Sequence, residues 1–162
     1  NKGETRVSKH IKRYLSRYRE ACDELDSLTE EHERIISNIM SITPSYGGDS
    51  GPSGAKDKVG DGVAELVDHC RKIDDEIKYY IAVRDDVRSV VREVMHENVT
   101  CGQSLHYRYI MGWSPIVVAS NMGYSERQER DIHRKALERA RKIVERRGTA
   151  QSPPQTAAFP VV

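Results

Sequence analysis

The chain has 162 residues and a formal net charge of only +1, with 31% charged residues, 6% aromatic residues, one Phe and one Trp. Evenly spread aliphatics and so few aromatics suit narrow helix seams better than one thick globular core. No long apolar run is present, so nothing in the sequence spans a membrane or resembles a secretion signal, and a cytoplasmic location is expected. Cys22, Cys70 and Cys101 stand too far apart for a disulfide framework or the paired spacing of a zinc site, and read as reduced thiols. No nucleophile and base, paired carboxylates, phosphate loop or metal constellation stands out, so neither an enzyme nor a cofactor is expected.

Charge is sorted along the chain more than its total suggests. Lys2 to Arg19 carries seven basic residues against one acidic, Glu20 to Glu33 seven acidic and none basic, and Glu126 to Arg147 nine basic against five acidic.

The first element is a long helix. Alternate steps of four and three from Val7 land on Ile11, Tyr14, Tyr18, Ala21, Leu25, Leu28, His32, Ile35, Ile39 and Ile42, and only His32 is strongly polar. A seam of this period sustained over five heptads indicates a coiled-coil helix. It should stop near Thr43, because Pro44 disfavours a helical residue before it. Residues 44–56, PSYGGDSGPSGA and the lysine after it, read as a flexible connection. The stepping resumes at Val59 and visits Val63, Leu66, Cys70, Ile73, Ile77, Tyr80, Arg84, Val87, Val91 and Val94, with Arg84 as the one exception.

Two such helices of equal length should fold back as an antiparallel hairpin over residues 5–97, each arm roughly 55 Å long. A symmetric loop sets seam residues with numbers totalling about 101 against each other. That register puts Ala21 against Tyr80, His32 near Cys70 as a polar layer, and Tyr18 near Arg84, where ring and guanidinium can stack. It also brings the basic segment Lys2 to Arg19 to the end of the hairpin that carries the rest of the chain, as an auxiliary phosphate contact.

The functional signal lies in residues 98–147. Asn98 to Gly102 reads as a short turn and Leu105 to Met111 as a supporting helix ended by Gly112. Ser114 then caps a short helix, Pro115 to Met122, with proline at its first position, where a missing NH costs least. Gly123 supplies the left-handed turn, and Ser125 with Gln128 forms a capping box for a last helix running to about Arg147. Ala119, Gly123 and Ser125 thus stand at helix-turn-helix spacing: a small residue where two helices cross, a turn glycine, and a cap.

Placed in the major groove, the last helix would turn Glu126, Arg127, Gln128 and Arg130 toward base edges, with Arg134 one turn further on. Arginine pairs with guanine and glutamine with adenine through two hydrogen bonds each. Lys135, Arg139, Arg141 and Lys142 suit phosphates or solvent, and the helix start at Ser114 suits a backbone phosphate. Residues 148–162, proline-rich and aperiodic, read as a disordered tail whose Phe159 to Val162 has the composition of a docking peptide.

LHYRYIMGWSPIVVASNMGYSERQERDIHRKAL resembles region 4 of the sigma-70 family, and more closely the sigma-like phage proteins grouped with the autolysin-regulator (ArpU) and RinA-type late transcription regulators. The resemblance is carried by Arg108, Tyr109 and Gly112, then Gly123, Tyr124 and Ser125, then Ile132, His133, Ala136 and Leu137. A phage family that pairs this C-terminal unit with an N-terminal helical hairpin extends the resemblance over most of residues 9 to 144, the N-terminal part in pattern only. It implies an all-α protein, a coiled-coil hairpin followed by a helix-turn-helix. It also implies a phage or prophage transcriptional regulator in the bacterial cytoplasm or nucleoid that binds promoter DNA.

The expected partners are double-stranded DNA, host RNA polymerase, and a second copy through the hairpin. The expected DNA-facing residues are Ser114, Ser125, Glu126, Arg127, Gln128, Arg130, His133, Arg134 and Lys135. Glu129 departs from the family, which has an aliphatic residue there, and must be exposed or paired with Arg108 or Arg130. Asp131 stands where an arginine is common. The rival expectations are an assembly protein such as a DNA-packaging terminase small subunit, and a coiled-coil interaction module.

Overall fold

The computed structural model describes the backbone of residues 2–42 and 56–148 and the side chains of residues 9–41 and 62–148. Every regular element among the described residues is helical: α1 (Lys2–Ile42), α2 (Lys56–Glu97), α3 (Val99–Leu105), a π-helical turn (His106–Ile110), α4 (Pro115–Met122) and α5 (Glu126–Gly148). The connection expected over 44–56 and the tail expected over 148–162 lie outside the described residues, except that Lys56 opens α2 and Gly148 closes α5. No described helix is long and apolar enough to cross a membrane, and no described cluster of His, Cys, Asp and Glu has the makings of a metal site.

The chain divides into two compact units. One comprises residues 20–84. Its core is the cluster Leu28, Ile35, Cys70 and Ile73, with Ile36, Ile39, Leu66, Ile77 and Tyr80 packed against it. Every member except Ile36 lies on the two apolar seams legible in the sequence.

The register differs in detail from the one expected. His69 meets Glu31, one position from the residue expected opposite it, with Nε2 to Oε1 at 3.4 Å. His32 meets Asp74 at 3.4 Å, while Cys70 is buried among aliphatic side chains. His32 is thus a rim residue facing a carboxylate, not the partner of Cys70 in a polar layer. The physical reason is length: the imidazole reaches past the seam to a charged flank, and the small thiol fills the seam itself.

The other unit comprises residues 1–19 and 85–162. Its core draws Ile11, Leu15 and Tyr18 from α1, Val87, Val90, Val91 and Val94 from α2, and Cys101, Leu105, Val118, Ala119, Ala136, Leu137, Ala140 and Ile143 from the helices that follow. Leu15 and Val90 are both 0% exposed, yet neither lies on a predicted seam. A coiled-coil helix has one partner and a narrow stripe; here further helices supply a second packing surface and widen it.

Polar contacts surround this core. The Tyr14 hydroxyl donates to Asp86 at 2.6 Å, and burial together with that carboxylate raises its pKa. Arg88 donates to the Tyr18 hydroxyl at 3.2 Å and lies 5.8 Å from the ring centroid, so Tyr18 is met one turn further along α2 than expected.

Candidate nucleic-acid interface

The approach to the site begins at Asn98, whose side chain accepts from the Cys101 NH at 2.9 Å and caps α3. Residues 99–105 are therefore helical, where a turn was expected and the supporting helix was placed from Leu105. Asn, Thr and Gly are weak helix formers, so local sequence argues against helix here. Packing decides for it: a Cβ on the buried Gly102 would stand 2.3 Å from the Met95 Cα, so only glycine lets α3 lie this close to α2.

The chain then unwinds into a wider turn. The Met111 NH donates to the His106 carbonyl at 3.0 Å and the Trp113 NH to the Tyr107 carbonyl at 2.9 Å, wider loops than the α-helical repeat allows. Tyr107 stacks on Trp113 with centroids 4.8 Å apart and planes at 4°. Gly112 ends the turn at φ 72°, its α-carbon covered by the Arg19 guanidinium.

α4, the turn and α5 follow the spacing read from the sequence. Pro115 occupies the first turn of α4 and Ser114 the cap position, but the Ser114 side chain makes no capping hydrogen bond, contrary to the cap expected of it. Its ψ of 154° and the proline after it set the helix start without the hydroxyl.

Ala119 is buried, and its carbonyl accepts from the Tyr124 NH at 2.9 Å. Gly123 sits at φ 72°, and a Cβ there would meet nothing within 4 Å, so it is the dihedral angle and not space that calls for glycine. Ser125 and Gln128 close the capping box. The Gln128 NH donates to Ser125 Oγ at 3.3 Å, and Gln128 Oε1 accepts from the Ser125 NH at 3.0 Å.

The inner face of α5 holds a polar network. Glu129 is 1% exposed. Its Oε1 accepts from Arg108 Nε at 2.9 Å and from Ser104 Oγ at 3.0 Å, and its Oε2 from Arg108 Nη2. Of the two ways to accommodate this glutamate, the chain uses burial with Arg108. The bidentate pairing and the extra hydroxyl satisfy the carboxylate, and no buried described side-chain polar atom is left without a partner.

One turn on, His133 is 7% exposed. Its Nε2 lies 3.3 Å from the Tyr109 hydroxyl, and the rings stack at 5.9 Å. Burial and, next, the Arg108 charge lower the His133 pKa to about 4. Tyr109 is pushed up to about 12, chiefly by burial. His133 therefore does not belong with the DNA-facing residues among which the sequence placed it. Four positions after Glu129, it shares the buried face of the helix.

The outer face collects the rest. Ser125, Glu126, Arg127, Gln128, Arg130, Arg134 and Lys135 are all exposed. Helical periodicity sets Arg127, Arg130 and Arg134 side by side on the exposed side of the helix, away from the buried Glu129 and His133. Arg134 pairs with Asp131 at 3.2 Å; Arg127 and Arg130 make no hydrogen bond or ion pair among the described residues. Gln128 already uses its Oε1 in the cap, which leaves its amide nitrogen to meet a ligand.

Further along, Arg139 bonds Glu97 at 3.3 Å and Arg141 bridges Glu138 and Glu145, so these arginines are partnered within the fold. No family model, no curated protein and no solved structure matches the chain.

Proposed function

We propose that this chain is a DNA-binding transcriptional regulator of phage or prophage type that reads duplex DNA with the N-terminal half of α5. In this reading α4, Gly123 and α5 form the helix-turn-helix, and α1 with α2 forms an antiparallel coiled-coil hairpin. The hairpin is then the element open to a second copy or to host RNA polymerase. The observation that carries the reading is the pair of exposed guanidiniums of Arg127 and Arg130, without a partner among the described residues, in the first turns of a helix that a left-handed glycine and a capping box hold in place.

Guanidiniums free of carboxylates keep all their donors for guanine edges or phosphates. The buried Glu129–Arg108 pair supports the same reading, because it anchors α5 by its inner face and leaves the outer face to a ligand. Glu126 and Asp131 lie among the arginines and set a polarity on that face. Base edges that donate suit the carboxylates, and those that accept suit Arg127 and Arg130.

The test selects bound fragments from sheared genomic DNA and titrates the enriched duplex by fluorescence anisotropy at several salt concentrations. Arg127→Ala with Arg130→Ala is expected to weaken binding at least ~30-fold, at about 1–3 kcal/mol for each of the two contacts, and to flatten the salt dependence. Absence of salt-dependent binding of the unaltered chain to any duplex overturns the proposal. Mass measurement on the same sample separates the neighbouring class: a ring of many subunits marks a packaging protein, a monomer or dimer a regulator.

A further inference from the structure

The end of α2 sorts its charges by direction. Asp86 pairs with Arg147 at 3.6 Å, Glu93 with Arg146 and, at 2.7 Å, with Arg147, and Glu97 with Arg139. The arginines of α5 thus take up three carboxylates of α2, and the Arg147 contact is the largest cause of the lowered Glu93 pKa. The arginines of α2 itself point elsewhere. Arg88 and Arg92, one turn apart, line an open groove of about 420 Å³ between α2 and the π-helical turn.

No described carboxylate lines this groove, and Gln103 and His106 bring its nitrogen-bearing side chains to four. Met95, Tyr107 and Ile110 give it an apolar floor. Arg88 is bonded only to a neutral hydroxyl, that of Tyr18, and Arg92 makes no hydrogen bond or ion pair among the described residues. Both charges are therefore uncompensated, beside a floor held in place by the stacked Tyr107 and Trp113.

We propose that this groove is a docking site for an acidic, amphipathic peptide segment of a partner protein. Carboxylates one helical turn apart match the spacing of Arg88 and Arg92, and an aliphatic or aromatic side chain between them covers the floor. The volume falls in the range of sites that hold a few side chains. A DNA backbone, which is charged at every phosphate and offers only small sugar C–H groups, leaves most of such a floor unused. The proposal stands on α2 and the π-helical turn, not on the outer face of α5, and so does not depend on the DNA-reading assignment.

The probe is a fluorescein-labelled peptide, Asp-Asp-Phe-Leu-Glu-Asp-Leu, titrated against the full chain by anisotropy. Binding that weakens with salt, and that falls about 10-fold in Arg92→Glu, is the expected result. Because Arg92 has no partner to lose among the described residues, the helical circular dichroism and the unfolding midpoint of that variant should match the unaltered chain. Failure of the unaltered chain to bind the peptide overturns the proposal, as does equal binding by Arg92→Glu. A parallel loss of duplex affinity in Arg92→Glu also overturns it, since the groove would then be a nucleic-acid surface.

Discussion

The two compact units of this protein draw on the same two long helices and bury side chains in different ways. In residues 20–84 the core is a thin seam of Leu28, Ile35, Cys70 and Ile73, and the polar pairs of His32 with Asp74 and Glu31 with His69 remain open to water. In the unit that contains α3, α4 and α5, residues off the seam are fully buried, and so is the carboxylate of Glu129. Two helices packed on each other cannot surround a charge on all sides, whereas several helices can, and they can bring it an arginine and a serine as well. Enclosure by more than one partner is what separates a seam from a core able to hold a polar network.

Replacing the buried acid breaks this contrast most strongly. Glu129→Leu leaves Arg108 facing an apolar site, and should cost about 3–5 kcal/mol in urea unfolding, with much of that loss restored in the double variant Arg108→Leu with Glu129→Leu. If the double variant is as unstable as the single, the network is needed for shape and not only for charge balance.

A second test uses acid. The folded pKa of His133, about 4, lies below the ordinary value. An unfolded histidine therefore takes up a proton in a pH range where the folded one does not. Its contribution is fully present above about pH 6.5 and is lost as the pH falls toward 4, by about 3 kcal/mol in total. His133→Gln should flatten that part of the stability profile; an unchanged profile would mean that His133 takes up its proton as readily in the fold as in the unfolded chain.

The smallest effect belongs to the seam unit. His32→Ala removes a contact whose partner Asp74 is half exposed, and should shift stability by no more than about 1 kcal/mol, as surface ion pairs do. Thermal unfolding would show this, and a loss as large as that of Glu129→Leu would erase the distinction between the units.

The turn and caps that join α4 to α5 were legible because their signals are local. Gly123 at positive φ, proline at the start of α4, and the Ser125–Gln128 box depend on dihedral angles and hydrogen bonds within a few residues. The seams of residues 20–84 were legible for a related reason, since a helix with one partner shows its buried stripe as a bare repeat. His133 was misplaced and Leu15 and Val90 were passed over because the buried face of a helix with several partners is set by where those partners lie. The helix over 99–105 was hidden by weak propensities that one close contact, Gly102 on Met95, overrides.

The sequence by itself thus determined an all-helical chain, its seams, and the turn and caps that introduce α5, each through interactions shorter than two helical turns. Only the tertiary structure decided which sides of α5 and α2 face outward. It seats Glu129 and His133 inside, leaves Arg127 and Arg130 free, and turns the acids of α2 to α5 while Arg88 and Arg92 line a groove. The reason is physical: a charge is buried or left open by the neighbours that reach it, and those neighbours come from segments far apart in the chain.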